Sequence, residues 1–434
     1  MPVRCFLTVF CLVFASSLNA GDWPQWRGRS GTGLSTESGI ATTWSKTQNV
    51  AWRTPLPGPA GSTPCIAGKR LFLTTVIEDD LYLMGFSLDG KELWRKKCGS
   101  GNKDARSGEG NSAAPSPATD GQHVWAFFGN GVLACFDRDG NEVWKLDVQD
   151  RYGKIDIQFG MTSTPALDEG HLYLQLIHGT MSTDYTVGKV VKLDKATGKE
   201  IWAIDRRAEP KSECKHSYAS ALIFDDGKSR SLVTHGADCT VGFALDDGRE
   251  LWRLEGLNGP SRFNSNYDGT LRLVASPGLS NRAIVIPSAK KGPVVAIKPP
   301  SQIQGNITKS TTDVLWTYER TPDVPCPLIV GDRVYLNMDA RLACLDLMTG
   351  KVIFEGRIHG AVYRSSPVYA DGHIYFTARD GTVTVIRSGV DTLEVVAENS
   401  LGEPIAASPA IADGTLYLRT YDALYAIRST PPAQ

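Results

Sequence analysis

The sequence predicts an all-β protein, an eight-bladed β-propeller of four-stranded antiparallel blades. Three observations predict this fold. A motif of alternating apolar residues, an Asp, a Gly turn and a closing aromatic residue recurs along the chain, most clearly at residues 132–144, VLACFDRDGNEVW. A second motif, in which Ser-Pro or Thr-Pro precedes a Gly turn and an apolar run, lies upstream of it. Together they repeat every roughly 40–60 residues, a period typical of propeller blades.

The first motif encodes the two outer strands of a blade, C and D. Alternation with period two indicates a half-buried strand. A Gly with positive φ suits the tight turn between the strands, as at Asp139-Gly140. The closing aromatic residue, such as Trp144, is a large apolar anchor for strand D. Further copies lie at residues 83–94, 190–202, 242–252 and 342–354.

The second motif encodes the two inner strands, A and B. Hairpin tips such as Asn130-Gly131 and Asp380-Gly381 then join strand B to strand C. Because one four-stranded sheet cannot bury both of its faces, the sheets must stack radially. The fifth repeat, around residues 271–316, and the seventh, around residues 364–396, match the motifs least well.

The two ends of the chain predict how the ring closes. Residues 405–427 encode strands A to C of a last blade, and Val50-Ala51-Trp52 reads as a strand D without its own inner strands. Pairing these segments completes the eighth blade and removes an exposed sheet edge. The expected organisation is a signal peptide at 1–20, an N-terminal aromatic arm at 21–48, the propeller at 49–428 and a C-terminal tail at 429–434.

Residues 1–20 have the pattern of a secretory signal peptide. Arg4 precedes an apolar run at 6–15, and small polar residues lead to Ala20. That run is too short to span a membrane, and no other apolar run is long enough. We therefore expect an exported protein, periplasmic or secreted, that is soluble after cleavage near Ala20. The aromatic arm that follows is expected to pack across the propeller as a tether.

Composition and short motifs argue against several classes of function. The chain has 46 Lys and Arg against 47 Asp and Glu, without a basic run, which argues against nucleic acid as a partner. Zinc-binding patterns such as C-x-x-C and H-E-x-x-H are missing from the sequence. Seven of the nine Cys follow the signal peptide, and Cys98 and Cys214, expected in loops between blades, are the better disulfide candidates.

The candidate ligand-binding residues precede the A strands of different blades, where a propeller has its channel mouth. Loops on a rigid scaffold are where binding usually occurs. One interpretation is a ring of ligand-binding side chains, and the alternative is a set of solvated polar residues without a ligand. We predict no catalytic residue and no metal ligand. The candidates are Asn111, His216, Tyr218, Asn264, Tyr363 and Arg364.

The repeat resembles the PQQ-like β-propeller family, named after pyrroloquinoline quinone. The resemblance rests on copies such as Ala343-Cys344-Leu345-Asp346 with Gly350-Lys351 and Phe354. The opening sequence WPQWRG at residues 23–28 also resembles exported bacterial members. The resemblance implies one of two branches. Quinoprotein dehydrogenases oxidise alcohols or sugars with quinone and calcium, and a propeller lipoprotein of outer-membrane protein assembly binds protein partners without a cofactor.

Neither branch matches in every residue. The dehydrogenases typically place two adjacent Cys beside the quinone, and this sequence has no adjacent pair; the lipoprotein needs a lipidated Cys where Gly21 stands. We expect a non-catalytic binding or interaction scaffold of the periplasm or cell envelope, without a cofactor. Its partner would be another envelope protein or a small ligand at the channel mouth. The alternative is a PQQ-dependent oxidoreductase with calcium, of the alcohol or sugar dehydrogenase type.

Overall fold

The structure, a computed structural model, describes residues 21–105, 110–180, 186–210, 212–263, 265 and 272–429. The predicted signal peptide and all but the first residue of the predicted tail lie outside these ranges. The strands form eight separate antiparallel sheets of four, and one sheet gains a short fifth strand. The predicted all-β, eight-bladed propeller is thereby confirmed.

Each blade runs from an inner strand A to an outer strand D. In chain order, the strands of blades 1 to 4 are Cys65–Ala67, Arg70–Ile77, Asp80–Ser87, Glu92–Ser100; Ala118–Thr119, His123–Phe127, Val132–Asp137, Glu142–Asp147; Ala166–Leu167, His171–Leu176, Thr186–Asp194, Glu200–Ala208; and Leu222–Asp225, Arg230–Gly236, Cys239–Ala244, Glu250–Glu255.

The later blades follow the same order. The strands of blades 5 to 8 are Gly278–Leu279, Ile284–Pro287, Val294–Ile297, Val314–Tyr318; Leu328–Val330, Arg333–Met338, Arg341–Asp346, Val352–Arg357; Val368–Ala370, His373–Thr377, Thr382–Arg387, Val395–Ser400; and Ala410–Ala412, Thr415–Arg419, Ala423–Ile427, with Val50–Pro55 as the outer strand of blade 8. The helices are short: Val148–Tyr152, and the 3₁₀ turns Ser212–Lys215 and Pro300–Gln302. In the part of the chain that the structure describes, no helix has the length and apolar composition needed to cross a membrane.

The two ends of the chain close the ring together, as predicted. Strand Val50–Pro55 pairs antiparallel with Ala423–Ile427, and Trp52 lies opposite Ala426. Side chains reinforce the pairing, because Arg53 Nε donates to the Tyr425 hydroxyl at 2.9 Å and Arg53 Nη2 contacts Glu403 at 2.9 Å. Without Val50–Pro55, the Ala423–Ile427 strand would be the unpaired edge of its sheet.

Tryptophan side chains fasten neighbouring blades to one another. The indole of strand D packs on the Gly of the C–D turn in the next blade and donates from Nε1 to a carbonyl of that turn. Trp94, for example, covers Gly140 and donates to Arg138 O at 3.0 Å. The other donor–acceptor pairs are Trp52 with Leu88, Trp144 with Lys195, Trp202 with Leu245, and Trp316 with Leu347. The repeated Gly and Trp residues therefore make the same kind of contact between one pair of neighbouring blades after another.

Trp252 of blade 4 departs from this pattern. It is completely buried, lies on Gly242 of its own blade, and its Nε1 has no hydrogen-bond partner. The short strand Gly305–Asn306, from an insertion in blade 5, pairs in parallel with strand D of blade 4, and the flanking Ile303 and Ile307 belong to the same apolar cluster as this indole. The insertion takes the place of the tight C–D turn found in blades 1 to 4 and in blade 6.

The seven cysteines of the described chain are all reduced and buried. Cys98 lies in strand D of blade 1 rather than in a loop, and Cys214 lies in the 3₁₀ turn Ser212–Lys215. The expected disulfide candidates are therefore wrong. Sequence spacing alone carries no information on whether two cysteine side chains face one another across the fold.

Candidate functional site

A belt of hydrogen bonds joins the blades around the central channel. At the start of each strand A, a backbone N–H donates to the Ser, Thr or Cys side chain of the next blade, at 2.9–3.2 Å, across seven of the eight blade junctions. The acceptors are Ser116, Thr164, Ser220, Ser276, Cys326, Ser366 and Ser408. A residue just before each strand A, in most blades the Ser or Thr of a Ser-Pro or Thr-Pro dipeptide, thus places one hydroxyl or thiol per blade at the channel wall.

The junction of blades 8 and 1 uses a different contact. Thr63 Oγ1, which would continue the belt, has no partner. Arg419 of blade 8 instead donates from Nη1 to Thr74 O of blade 1 at 2.7 Å and to the backbone and side chain of Ser62. Burial lowers the pKa of this guanidinium to about 9. A buried side chain therefore reinforces the junction at which the ring closes.

The N-terminal arm crosses the face of the propeller that carries the A–B turns. It bonds to blade 1 through Trp23 and Ile66, to blade 2 through Pro24 O and Thr119 N, and to blade 7 through Gly33 O and Tyr369 N, each at 2.8 Å. Between these contacts, Trp26 lies half-buried across the channel. It lines a groove of about 1350 Å³ on the A–B face and a cavity of about 910 Å³ on the opposite face.

The channel-mouth cavity, as we call the cavity of about 910 Å³, lies within the D–A loops and B–C turns. Loops of several blades supply its wall, from residues 59–63 of blade 1 to residues 406–408 of blade 8. The belt residues line its deep end and Trp26 lies at its bottom. A cavity of this size is in the range of small-molecule and peptide sites.

One side of the cavity holds a cation stacked on two aromatic rings. Arg272 Cζ lies 4.3 Å from the ring centroid of Phe159 and 5.6 Å from that of Tyr218. Glu213 also holds the guanidinium of Arg272, through an Nη1–Oε2 ion pair of 2.7 Å. Because Arg272 is oriented on both sides, it can present a planar donor surface to a ligand at little entropic cost.

The remaining charges at the cavity are mixed. Lys290 Nζ and Asp323 Oδ2 form an ion pair at 3.3 Å on the rim. Arg364 and Asp104 also line the cavity. The lining residues in the described chain therefore include three cations and two carboxylates. One of the carboxylates, Asp323, is paired with Lys290. The cavity is polar and nearly balanced in charge.

Three of the six predicted site residues line this cavity: Asn111, Tyr218 and Arg364. Asn111 Nδ2 donates to Pro59 O at 2.8 Å, and its Oδ1 accepts from Ala113 N at 3.0 Å, so this amide also shapes the loop. Tyr218 is largely buried against Phe159, and burial raises the pKa of its phenol to about 12. It remains neutral at physiological pH.

Of the other predicted residues, Tyr363 and His216 do not line the cavity. Tyr363 is buried and donates from its hydroxyl to His359 O at 3.0 Å, because consecutive residues of an extended segment point to opposite sides and Arg364 takes the cavity side. His216 is buried, and its Nε2 lies 2.9 Å from Gly179 O. Burial lowers the pKa of His216, which favours the neutral ring. Asn264 lies outside the described residues.

Residues that the sequence did not single out complete the site. Arg272 lies before strand A of blade 5, the position for which Asn264 was predicted. The prediction missed Arg272 because the fifth repeat matches the motifs poorly. Phe159 belongs to a long D–A loop that carries no repeat signal. Trp26 was visible in the WPQWRG opening, but nothing local indicated that this segment crosses the channel.

Asp238, on the same face, carries a strongly perturbed carboxyl group. It lies in the B–C turn of blade 4 and accepts a hydrogen bond from Asn258 N. Burial, aided by the charge of Glu255, raises the pKa of Asp238 to about 7 from an ordinary value of 3.8. Because the pKa of Asp238 is raised in the folded protein, its protonated form contributes its full stabilisation of the fold below about pH 4. This contribution is lost as the pH rises through about 7.

We expect Asp238→Asn to be more stable than the parent at pH 8, by roughly 2 kcal/mol, because the amide removes the cost of a buried charge. The difference should narrow as the pH falls toward 5. Denaturant unfolding at both pH values measures it. Asp339→Asn, in the corresponding turn of blade 6, where the side chain also accepts a backbone N–H, controls for the substitution itself. A difference that does not depend on pH would contradict the assignment.

Comparisons with known proteins agree on the architecture. A family model described as outer membrane protein assembly factor BamB matches residues 30–174, 129–301 and 306–391. No curated protein sequence matches the chain significantly. The quinohemoprotein alcohol dehydrogenase of Comamonas testosteroni superposes with a TM-score of 0.66 at 12% identity, over 95% of this chain and 82% of that one.

Two further structures are similar. BamB from Moraxella catarrhalis has a TM-score of 0.56 at 12% identity, over 83% of this chain and 94% of that one. A europium-containing methanol dehydrogenase has a TM-score of 0.65 at 12% identity, over 93% and 91% of the two chains. At this identity, the likenesses show the shared fold alone.

Proposed function

Because this chain belongs to the PQQ-like propeller family whose model is described as outer membrane protein assembly factor BamB, we propose that it is a non-catalytic binding scaffold of the cell envelope. Its binding site is the channel-mouth cavity, and its partner is a segment of another envelope protein. Export to the periplasm is part of the proposal and rests on the predicted signal peptide.

The observation that carries the proposal is the pre-positioned Arg272. Its guanidinium is stacked on Phe159 and Tyr218 and held by Glu213, beside a cavity closed at the bottom by Trp26. Arg and aromatic side chains dominate the energetics of protein recognition when they are held in partly desolvated pockets. The hydroxyls at the deep end accept backbone N–H groups in the belt, so the charged groups of the site come from the side chains near the rim.

The described residues fit a calcium-bound quinone poorly. Among the residues described, no group of three or more His, Cys, Asp or Glu could hold a metal ion. The lining carboxylates that the structure describes are Asp104 and Asp323, and Asp323 is paired with Lys290. Arg272 already stacks on Phe159 and Tyr218, the rings that could have held a flat cofactor. These features support binding over quinone-dependent oxidation.

A photo-crosslinking residue at Arg364 should capture an envelope protein, whereas one at Val143 should not. Arg364 lines the cavity and Val143 is exposed on the outer strand of blade 2. Arg272→Ala in the Arg364-labelled protein should reduce capture about tenfold, and Arg272→Lys should recover only part of it, because lysine lacks the planar surface. Mass spectrometry identifies the captured segment.

The opposing result is equally measurable. Equal capture at both positions, or none at Arg364, would contradict the proposed site. Calorimetry with pyrroloquinoline quinone and calcium should show no micromolar binding, and no alcohol or aldose should reduce a dye. Dye reduction that depends on both additions would replace the scaffold proposal with the quinone-dependent oxidoreductase.

A further inference from the structure

Cys326 is the one belt residue that is not Ser or Thr. Its Sγ accepts from Ser276 N at 3.2 Å, and its own N–H donates to Ser366 Oγ at 3.1 Å. The residue also lines the channel-mouth cavity. The residue is 2% exposed, so a backbone donor holds the thiol in the wall of this cavity with only a small part of its surface open.

A buried cation from the N-terminal arm lies beside this thiol. The side chain of Arg27 is 1% exposed and interacts electrostatically with Cys326. Its Nη2 donates to Thr32 O and to Pro327 O, both at 3.0 Å. Its Nε and Nη1 have no hydrogen-bond partner, and no carboxylate in the described chain forms an ion pair with it. Pro327 follows Cys326 directly, so the guanidinium is fixed at this point of the wall.

Two unsatisfied donors on a buried guanidinium are costly, and a negative charge beside them would lower that cost. A thiolate at Cys326 supplies such a charge and also accepts from Ser276 N. The thiolate is the nucleophilic form of cysteine, and neighbouring cations favour it. From this geometry we propose that Cys326 is a reactive thiol, modified by small disulfides that enter the channel-mouth cavity.

The reaction is a thiol–disulfide exchange. The Cys326 thiolate attacks one sulfur of the small disulfide, a new S–S bond forms, and the original S–S bond breaks. The other half leaves as a thiolate and takes a proton from water. The product is a mixed disulfide at the channel wall, which an added thiol reverses by the same exchange. The disulfide is the oxidant, so the electrons balance.

The other six cysteines of the described chain form the internal comparison. Burial raises the pKa of each of their thiols, to about 12 for Cys98 and Cys135. None of the six lines the channel-mouth cavity in the part of the chain described. A reagent that enters the cavity and reacts with the thiol beside Arg27 should therefore select Cys326.

Hydroxyethyl disulfide, a small neutral reagent, tests this on the folded protein at pH 7. Peptide mapping should find one adduct, at Cys326, formed at least tenfold faster than at Cys135 or Cys344. Dithiothreitol should remove it. Cys326→Ser, which introduces the hydroxyl that the other blades have at this position, should fold normally and form no adduct. Adducts spread equally over several cysteines, or none before unfolding, would overturn the proposal.

The role of Arg27 is tested separately. Arg27→Met should slow the modification of Cys326 about tenfold and steepen its dependence on pH between 6 and 9, whereas Arg27→Lys should retain much of the rate. An unchanged rate and pH profile in a folded Arg27→Met protein would show that the cation does not activate the thiol. If Arg27→Met fails to fold, the comparison of Cys326 with Cys135 in the parent protein decides the proposal.

Discussion

A chain that begins at residue 56 is expected to lose cooperative folding and to aggregate. The deletion removes the outer strand of blade 8 and leaves Ala423–Ile427, whose five residues are all buried, as an unpaired edge. It also removes Trp52, which caps the C–D turn of blade 1 through Leu88 O at 2.9 Å. An apolar edge strand without a partner is a template for pairing with other chains.

A second deletion separates ring closure from the arm. Removing residues 21–47 eliminates the crossing segment but keeps Val50–Pro55 and its pairing with the last strand. This variant should remain folded and free of aggregation with a reduced melting temperature, because it loses the buried Trp23 and Trp44. Size-exclusion chromatography, light scattering and thermal unfolding distinguish the two proteins. Cooperative unfolding without aggregation in the longer deletion would contradict closure by the terminal strand.

The fold could be predicted because its signals are local and repeated. Each copy of the Asp-Gly turn and of the closing Trp repeats the same contact, so the weak fifth and seventh repeats did not alter the blade number. The incomplete last repeat and the isolated Val50-Ala51-Trp52 strand together predicted closure. Register and burial within a blade then follow from period-two alternation.

The site was less predictable because it depends on contacts between distant segments. Arg27 meets Pro327 across 300 positions of sequence, and no local pattern encodes that approach. Arg272 depends on loops of other blades for its stacking and its ion pair. The sequence could place Tyr218 and Arg364 near the channel mouth, but it could not tell that Tyr363 turns inward. Orientation in irregular loops follows from packing, not from periodicity.

The inter-blade Trp contact yields the sharpest stability test. Gly350, in the C–D turn of blade 6, has φ of 69°, and a Cβ there would lie 2.6 Å from ring atoms of Trp316 in blade 5. Trp316 is 8% exposed and donates to Leu347 O at 2.8 Å, so it has little room to move. Gly350→Ala therefore adds overpacking to the cost of a left-handed backbone.

Gly331 is the matched control within the same blade. It lies in the A–B turn with φ of 58°, and a Cβ there would meet nothing within 4 Å. Gly331→Ala should cost about 1 kcal/mol from backbone conformation alone, and Gly350→Ala about 2–4 kcal/mol, because the methyl group must also displace the indole. Denaturant unfolding measures both. Equal losses would mean that Trp316 yields without cost and that the Gly–Trp contact does not fasten the blades. A larger loss at Gly350, accompanied by a change in the tryptophan fluorescence of the folded protein, is the result expected if this repeated contact holds neighbouring blades together.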